Sequence, residues 1–188
     1  MFDRRRLIES HEVALKPHVA DYVAIGRCAK LDPNAAANVV GSLSGMGKAV
    51  PIIVDAEDVT KSAIDRDVYW NLPDRMRATC DADVTSIILE VWKSDLVGTY
   101  GSVGRYQVLL NAYVESCTLT IVERRLAKII HTKVLKKYPP KIETVHYNER
   151  GDFIGGEGES LEAQLRGEVV RYIWRLGGLG WLSRLTRR

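Results

Sequence analysis

Three runs rich in β-branched and aromatic residues constrain this chain most: VTSIILEVWK from Val84, NAYVESCTLTIVE from Asn111 and LAKIIHTKVL from Leu126. Side chains branched at Cβ or carrying rings pack well across a pleated surface, so such runs read as strands. Only Arg124 and Arg125 separate the second run from the third. That spacing predicts a tight antiparallel hairpin, although no glycine or asparagine supplies the favoured turn. The link between the first two runs carries Gly98, Gly101 and Gly104 and reads either as a loop or as an extension of the second strand. Val84 to Leu135 is therefore expected to fold as an antiparallel β-meander.

A fourth strand is expected at Ala49 to Asp55 (AVPIIVD), with Pro51 at its start or on a sheet edge, because proline cannot donate to a ladder. Helical signals flank this region. Leu7, Ile8, Val13 and Leu15 form an apolar stripe within Asp3 to Lys16, and Pro17 interrupts it or starts the next segment. His18 to Ala29 is apolar enough to be buried as helix or strand. Asp32 followed by Pro33 starts a short helix to Val40, and LPDRMRA from Leu72 reads as a turn or a short helix. Near the end, Leu161, Leu165, Val169, Ile173 and Leu176 recur every three or four residues and make one apolar helical face, with Ser160 as its cap and Gly177 and Gly178 at its end.

The fold these signals predict is one α+β domain: an antiparallel meander of about four strands, a carboxy-terminal helix packed on one face, and amino-terminal helices covering the rest. Its expected division is a helical region over 1–47, the α+β domain over 48–176 and a basic amphipathic tail over 177–188. An apolar fraction of 46% and a charged fraction of 27% are ordinary for a globular chain, so neither disorder nor a membrane class is indicated. The opening MFDRRRLIESHEV lacks the apolar run of a secretory signal, and the expected location is the cytoplasm. Cys28, Cys80 and Cys117 share no metal-ligand spacing and are odd in number, which predicts buried, reduced thiols.

Several patterns resemble catalytic signatures and fail on spacing. GSLSGMGKA places Ser42 where a phosphate-binding loop needs its first glycine and Ala49 where it needs a hydroxyl, and a strand follows where a helix should. Pro73 and Asp74 with Glu90 and Lys93 suggest a metal-dependent nuclease, but Glu90 and Lys93 are three apart and point to opposite faces of a strand, which leaves a solvated strand edge. His11 and His18 are seven apart with Pro17 between them and read as a surface pair; His131 reads as a half-exposed strand residue. Cys117 reads as a structural thiol, and Trp70, Trp92 and Trp174 as core. No constellation calls for a cofactor.

The net charge of +3 is nearly balanced, yet arginines gather at the two ends. Arg4, Arg5 and Arg6 open the chain. Arg184, Arg187 and Arg188 close it beside Trp181, which makes these seven residues the candidate binding set for a partner or an anionic surface.

The marks LPDRMRA, VTSIILEVW with LVGTY behind it, AYVESCTLTIVE paired with LAKIIHTKVL, YPP and the helix LEAQLRGEVVRYIWRL together resemble a loosely defined bacterial α+β domain, over about Lys48 to Leu176. The resemblance implies a fold and no particular activity. Members with this pattern are often anchored to or exported across a membrane and carry aspartate and glycine at the hairpin turn. Here Glu123, Arg124 and Arg125 occupy that turn, and a charged segment stands where an anchor would be.

The function expected from the sequence is that of a non-enzymatic protein-interaction or assembly module, self-associating or binding another protein through the basic tail or an exposed sheet edge. Two alternatives stand beside it. One is binding of nucleic acid or an anionic membrane through the arginine-rich ends; the other is a metal-dependent hydrolase using acids among Asp55, Glu57, Asp58, Asp81 and Asp83.

Overall fold

A computed structural model describes residues 4–31, 47–101, 109–139 and 161–176. Within them helix α1 (Arg4–Leu15) passes through a short 3-10 turn at Lys16–His18 into α2 (Val19–Cys28), with Pro17 at the turn, where its missing N–H costs nothing. The strands are β1 (Lys30–Leu31), β2 (Ala49–Ile53), β3 (Ala63–Ile64), β4 (Ser86–Gly101), β5 (Leu109–Glu123) and β6 (Lys128–Lys137). Helix α3 (Arg66–Asn71) lies between β3 and β4, and α4 (Leu161–Trp174) ends the described chain. The short helix expected at Pro33–Val40, the cap at Ser160 and the glycines after α4 lie outside the described residues.

The α+β class holds, and the meander β4–β5–β6 is present, but the sheet is larger than four strands and is mixed. Its order is β1-β6-β5-β4-β2-β3. Strand β2 pairs parallel with β4, Ala49 opposite Ser86 through Ile53 opposite Glu90, and β1 pairs parallel with β6. The chain from Ile53 to Ser86, with β3 and α3 in it, is the long crossover that a parallel pair requires. Two-residue strands such as β1 and β3 are too short to show any sequence period. Pro51 sits in the middle of β2 rather than at its start. Its carbonyl accepts from Asp65 N (3.1 Å) on the β3 side, so its absent N–H also faces that thinly paired side.

The β5–β6 turn is longer than the two residues expected. It runs from Arg124 to Ala127, with the Glu123 carboxylate accepting from Arg125 N (3.1 Å) and Leu126 N (2.9 Å). Ala127 takes the left-handed position (φ 48°) that glycine or asparagine would fill more easily. Arg124 does a second job, pairing with Asp81 at 2.7 Å while its guanidinium stacks on Tyr22.

Both faces of the sheet are covered, and alternation along β4 divides its side chains between them. Ile87 and Leu89 join Ile8, Leu15, Val19, Tyr22 and Val23 of α1 and α2 on one face. Ile88 joins Leu119, Ile121 and the Leu165, Val169 and Ile173 stripe of α4 on the other. Each of those three α4 side chains is fully buried, worth roughly 1.5–3 kcal/mol apiece. The LPDRMRA segment is structural. Arg77, 3% exposed, donates to the carbonyls of Tyr69 (3.0 Å), Trp70 (2.9 Å) and Leu72, so it helps satisfy the carbonyls at the end of α3.

Gly26 marks where α2 meets β4. A Cβ there would fall on the buried Leu89 Cδ1, inside contact distance. Gly26→Val is therefore expected to lower stability by about 1–3 kcal/mol in chemical denaturation, and a variant as stable as the native chain would contradict this packing.

Candidate functional site

Strand β4 changes character halfway along. Ser86 to Glu90, paired with β2 on one side and β5 on the other, are all buried. Beyond Glu90 no described strand continues on the β2 side, and Lys93 to Gly98 are all exposed. Leu96 and Val97 are each 57% exposed, and Tyr113, opposite Leu96 on β5, is 38% exposed. The register slips between Leu96 and Gly98, leaving Val97 as a bulge. Apolar side chains beside an unpaired strand edge attract another strand, because the edge offers a row of unmade backbone hydrogen bonds.

The direction of those bonds follows from alternation. Glu90 C=O accepts from Val54 N (2.8 Å) on the β2 side, and Lys93 C=O accepts from Ser116 Oγ (3.4 Å) on the β5 side. The N–H and C=O groups of Trp92, Ser94 and Leu96 therefore point outward, while those of Lys93 and Asp95 point toward β5. The other long edge differs: β6 beyond Ile129 carries Lys133 and Lys136, charges that disfavour an added strand, while Lys137 pairs with Glu168 of α4 (2.9 Å).

At the point where β4 becomes an edge lies a buried polar network. Glu90 is fully buried and is not the solvated edge residue its sequence suggested. Its Oε2 accepts from Trp92 Nε1 (3.1 Å), while Oε1 is buried without a partner. Asp65, also buried, caps α3 through Val68 N (3.0 Å) and pairs with Arg166 of α4 (2.7 Å). Arg166 lies over the Trp92 ring at 4.6 Å. Burial, then the neighbouring Asp65 carboxylate, pushes the Glu90 carboxyl well above its ordinary range, so the acid is held neutral and its proton can serve Asp65. Cys117, buried beside them, has its thiol pushed up mainly by burial, which fits the structural role expected of it.

The remaining candidates separate in space. Trp181, Arg184, Arg187 and Arg188 lie outside the described residues. Arg4 pairs with Asp74 (3.5 Å) and lines a cleft of about 260 Å³ with His11, Asp74 and Arg77. Arg5 pairs with Glu9 (3.2 Å) and lies over the Trp70 ring, as Arg66 also does; Arg6 sits on the same helix. Asp55 accepts from the amides of Glu57 and Asp58, and Asp58 from Thr60, so these acids close local turns. Asp81 holds Tyr22 (2.7 Å) and Arg124. Asp83 holds Lys48 (2.8 Å), which with Thr79 brings its carboxyl down to about 2.

Two expectations are corrected. His131 is 6% exposed, with Nε2 at 2.6 Å from Tyr172 Oη, because β6 turns it under α4. Of the cysteines only Cys117 is buried; Cys28 at the end of α2 and Cys80 before β4 are exposed and free. Among the described residues no helix is long and apolar enough to cross a membrane, and no three acids, histidines or cysteines converge as a metal cluster.

Comparison with family models, curated proteins and solved structures finds no match. The geometry itself carries the functional argument.

The neutral Glu90 has a pH signature. A folded-state value raised above the ordinary 4.5 means the folded chain binds this proton more tightly than the unfolded chain. Its contribution to stability is therefore full below 4.5 and is lost as pH rises toward the folded value. Glu90→Gln keeps the neutral form at every pH, so the variant is expected to match the native chain in melting temperature near pH 4 and to exceed it increasingly toward pH 8. Parallel curves would contradict a protonated Glu90.

Proposed function

We propose that this chain is a non-enzymatic assembly module that recruits a protein strand to the outer half of β4. The observation that carries the reading is the run from Lys93 to Gly98, exposed throughout, with outward backbone groups at its Ser94 and Leu96 and with Leu96 and Val97 more than half exposed. Strand addition supplies affinity through main-chain bonds and selectivity through the side chains on each face. The burial of Glu90 and Asp65 beneath α4, with Arg166 of that helix paired to Asp65, supports the same reading, since a network closed in this way braces the strand at the base of the edge.

Ser94→Pro removes an outward N–H while leaving the β5 ladder intact, because proline is tolerated where its nitrogen faces away from a partner. In extract from the native cell, the untagged chain at its natural abundance is expected to elute in gel filtration above the mass of a single chain. The Ser94→Pro variant, with an unchanged circular dichroism spectrum, is expected to shift toward that mass. Coincident elution of the two forms would contradict the reading.

A further inference from the structure

The residues on the open edge have a symmetry of their own. Val91-Trp92-Lys93-Ser94-Asp95-Leu96-Val97 has the same chemistry read from either end: two apolar residues, a charge, serine, the opposite charge, two apolar residues. We infer that the strand added to β4 is the same strand of a second copy, running antiparallel about a two-fold axis through Ser94. This rests on the assembly reading above and names its partner.

In that register Ser94 faces Ser94 of the other copy, Lys93 faces Asp95, Trp92 faces Leu96 and Val91 faces Val97. Ser94, Trp92 and Leu96 have the outward-pointing N–H and C=O groups, so they form the hydrogen-bonded pairs. Lys93 and Asp95 then fall in the non-hydrogen-bonded pairs, where opposed side chains come closest. Both are exposed and neither makes an ion pair with another described residue, so each charge is available to the other copy.

The neighbouring registers are penalised. An axis through Lys93 sets Lys93 against itself, and one through Asp95 sets Asp95 against itself, so like charges are directly opposed in both. The ends of the open window also fit a two-fold through Ser94. On one side Glu90 is the last residue bonded to the β2 segment; on the other Gly98 is the first residue after the Val97 bulge. The axis brings these two positions opposite each other. A bulge bends its strand and increases its twist, so each copy's Gly98–Gly101 segment is expected to bend away from the end of the other copy's β2. An interface of this kind is isologous and closes at two chains.

The test is charge reversal read by analytical ultracentrifugation of the purified full chain across micromolar concentrations. The native chain is expected to sediment as a monomer–dimer equilibrium. Lys93→Asp and Asp95→Lys alone each oppose like charges twice and are expected to weaken association by about tenfold or more. Mixed together, the two single variants place acids against lysines and are expected to form a heterodimer; the double variant Lys93→Asp/Asp95→Lys restores both pairs and is expected to dimerise alone. Unchanged circular dichroism spectra of these surface variants show that they fold.

A native chain that stays monomeric throughout would overturn the second copy as partner, and the assembly reading would then stand or fall on the extract experiment with Ser94→Pro. Dimers indifferent to charge reversal, or a double variant that remains monomeric, would overturn the Ser94-centred register.

Discussion

Among the described residues, strand β4 has partners on both sides for its first five residues and on one side for the remainder, and the rest of the described structure is arranged around that difference. Over Ser86–Glu90 it is a central strand. Its side chains feed two cores: Ile87 and Leu89 pack under α1 and α2, and Ile88 packs under α4. After Glu90 the β2 segment departs, Trp92 still lies under Arg166 of α4, and from Lys93 the same backbone continues as an exposed edge. A strand buried on both faces gains hydrophobic stabilisation; a strand exposed at an edge keeps unpaired donors and acceptors that favour another chain.

The junction between these halves is where the chain places polar groups in its interior. Glu90 follows Ile88 on the α4 face, and an ionised carboxylate there would face Asp65 at close range in an apolar layer. Holding the proton removes that repulsion. Arg166 then pairs with Asp65 and stacks on Trp92, so α3, α4 and β4 meet at one set of hydrogen bonds. Arg77 performs a comparable service at the other end of α3. Both arginines were visible in the sequence only as charge, because the carbonyls and carboxylates they satisfy come from separate segments.

The long elements were legible in the sequence because each has a period. The β-branched runs located β4, β5 and β6, and the recurrence of Leu165, Val169 and Ile173 located α4 and its buried face. The parallel pairing of β2 with β4 was not legible, since strand direction depends on where a crossover leads and not on the composition of either strand. Glu90 and His131 were misread for a related reason: a strand's period says which residues share a face, and only the helices packed above decide whether that face is dry. A signal for Glu90 was available in its phase with Ile88, a residue that any buried β4 must place inside. The edge itself is set by where β2 ends, which no sequence period marks. The mirrored chemistry of Val91 to Val97 then acquired a meaning that the same letters lack in a central strand.

Amide hydrogen exchange, resolved residue by residue by NMR, separates the two directions of bonding along β4. The N–H groups of Trp92, Ser94 and Leu96 are expected to exchange fast in dilute protein and to slow progressively as concentration rises, while those of Lys93 and Asp95, already bonded to β5, stay slow throughout. Fast exchange of Trp92, Ser94 and Leu96 at every concentration, or slow exchange of all five residues in dilute protein, would contradict an open β4 edge that closes on a second copy.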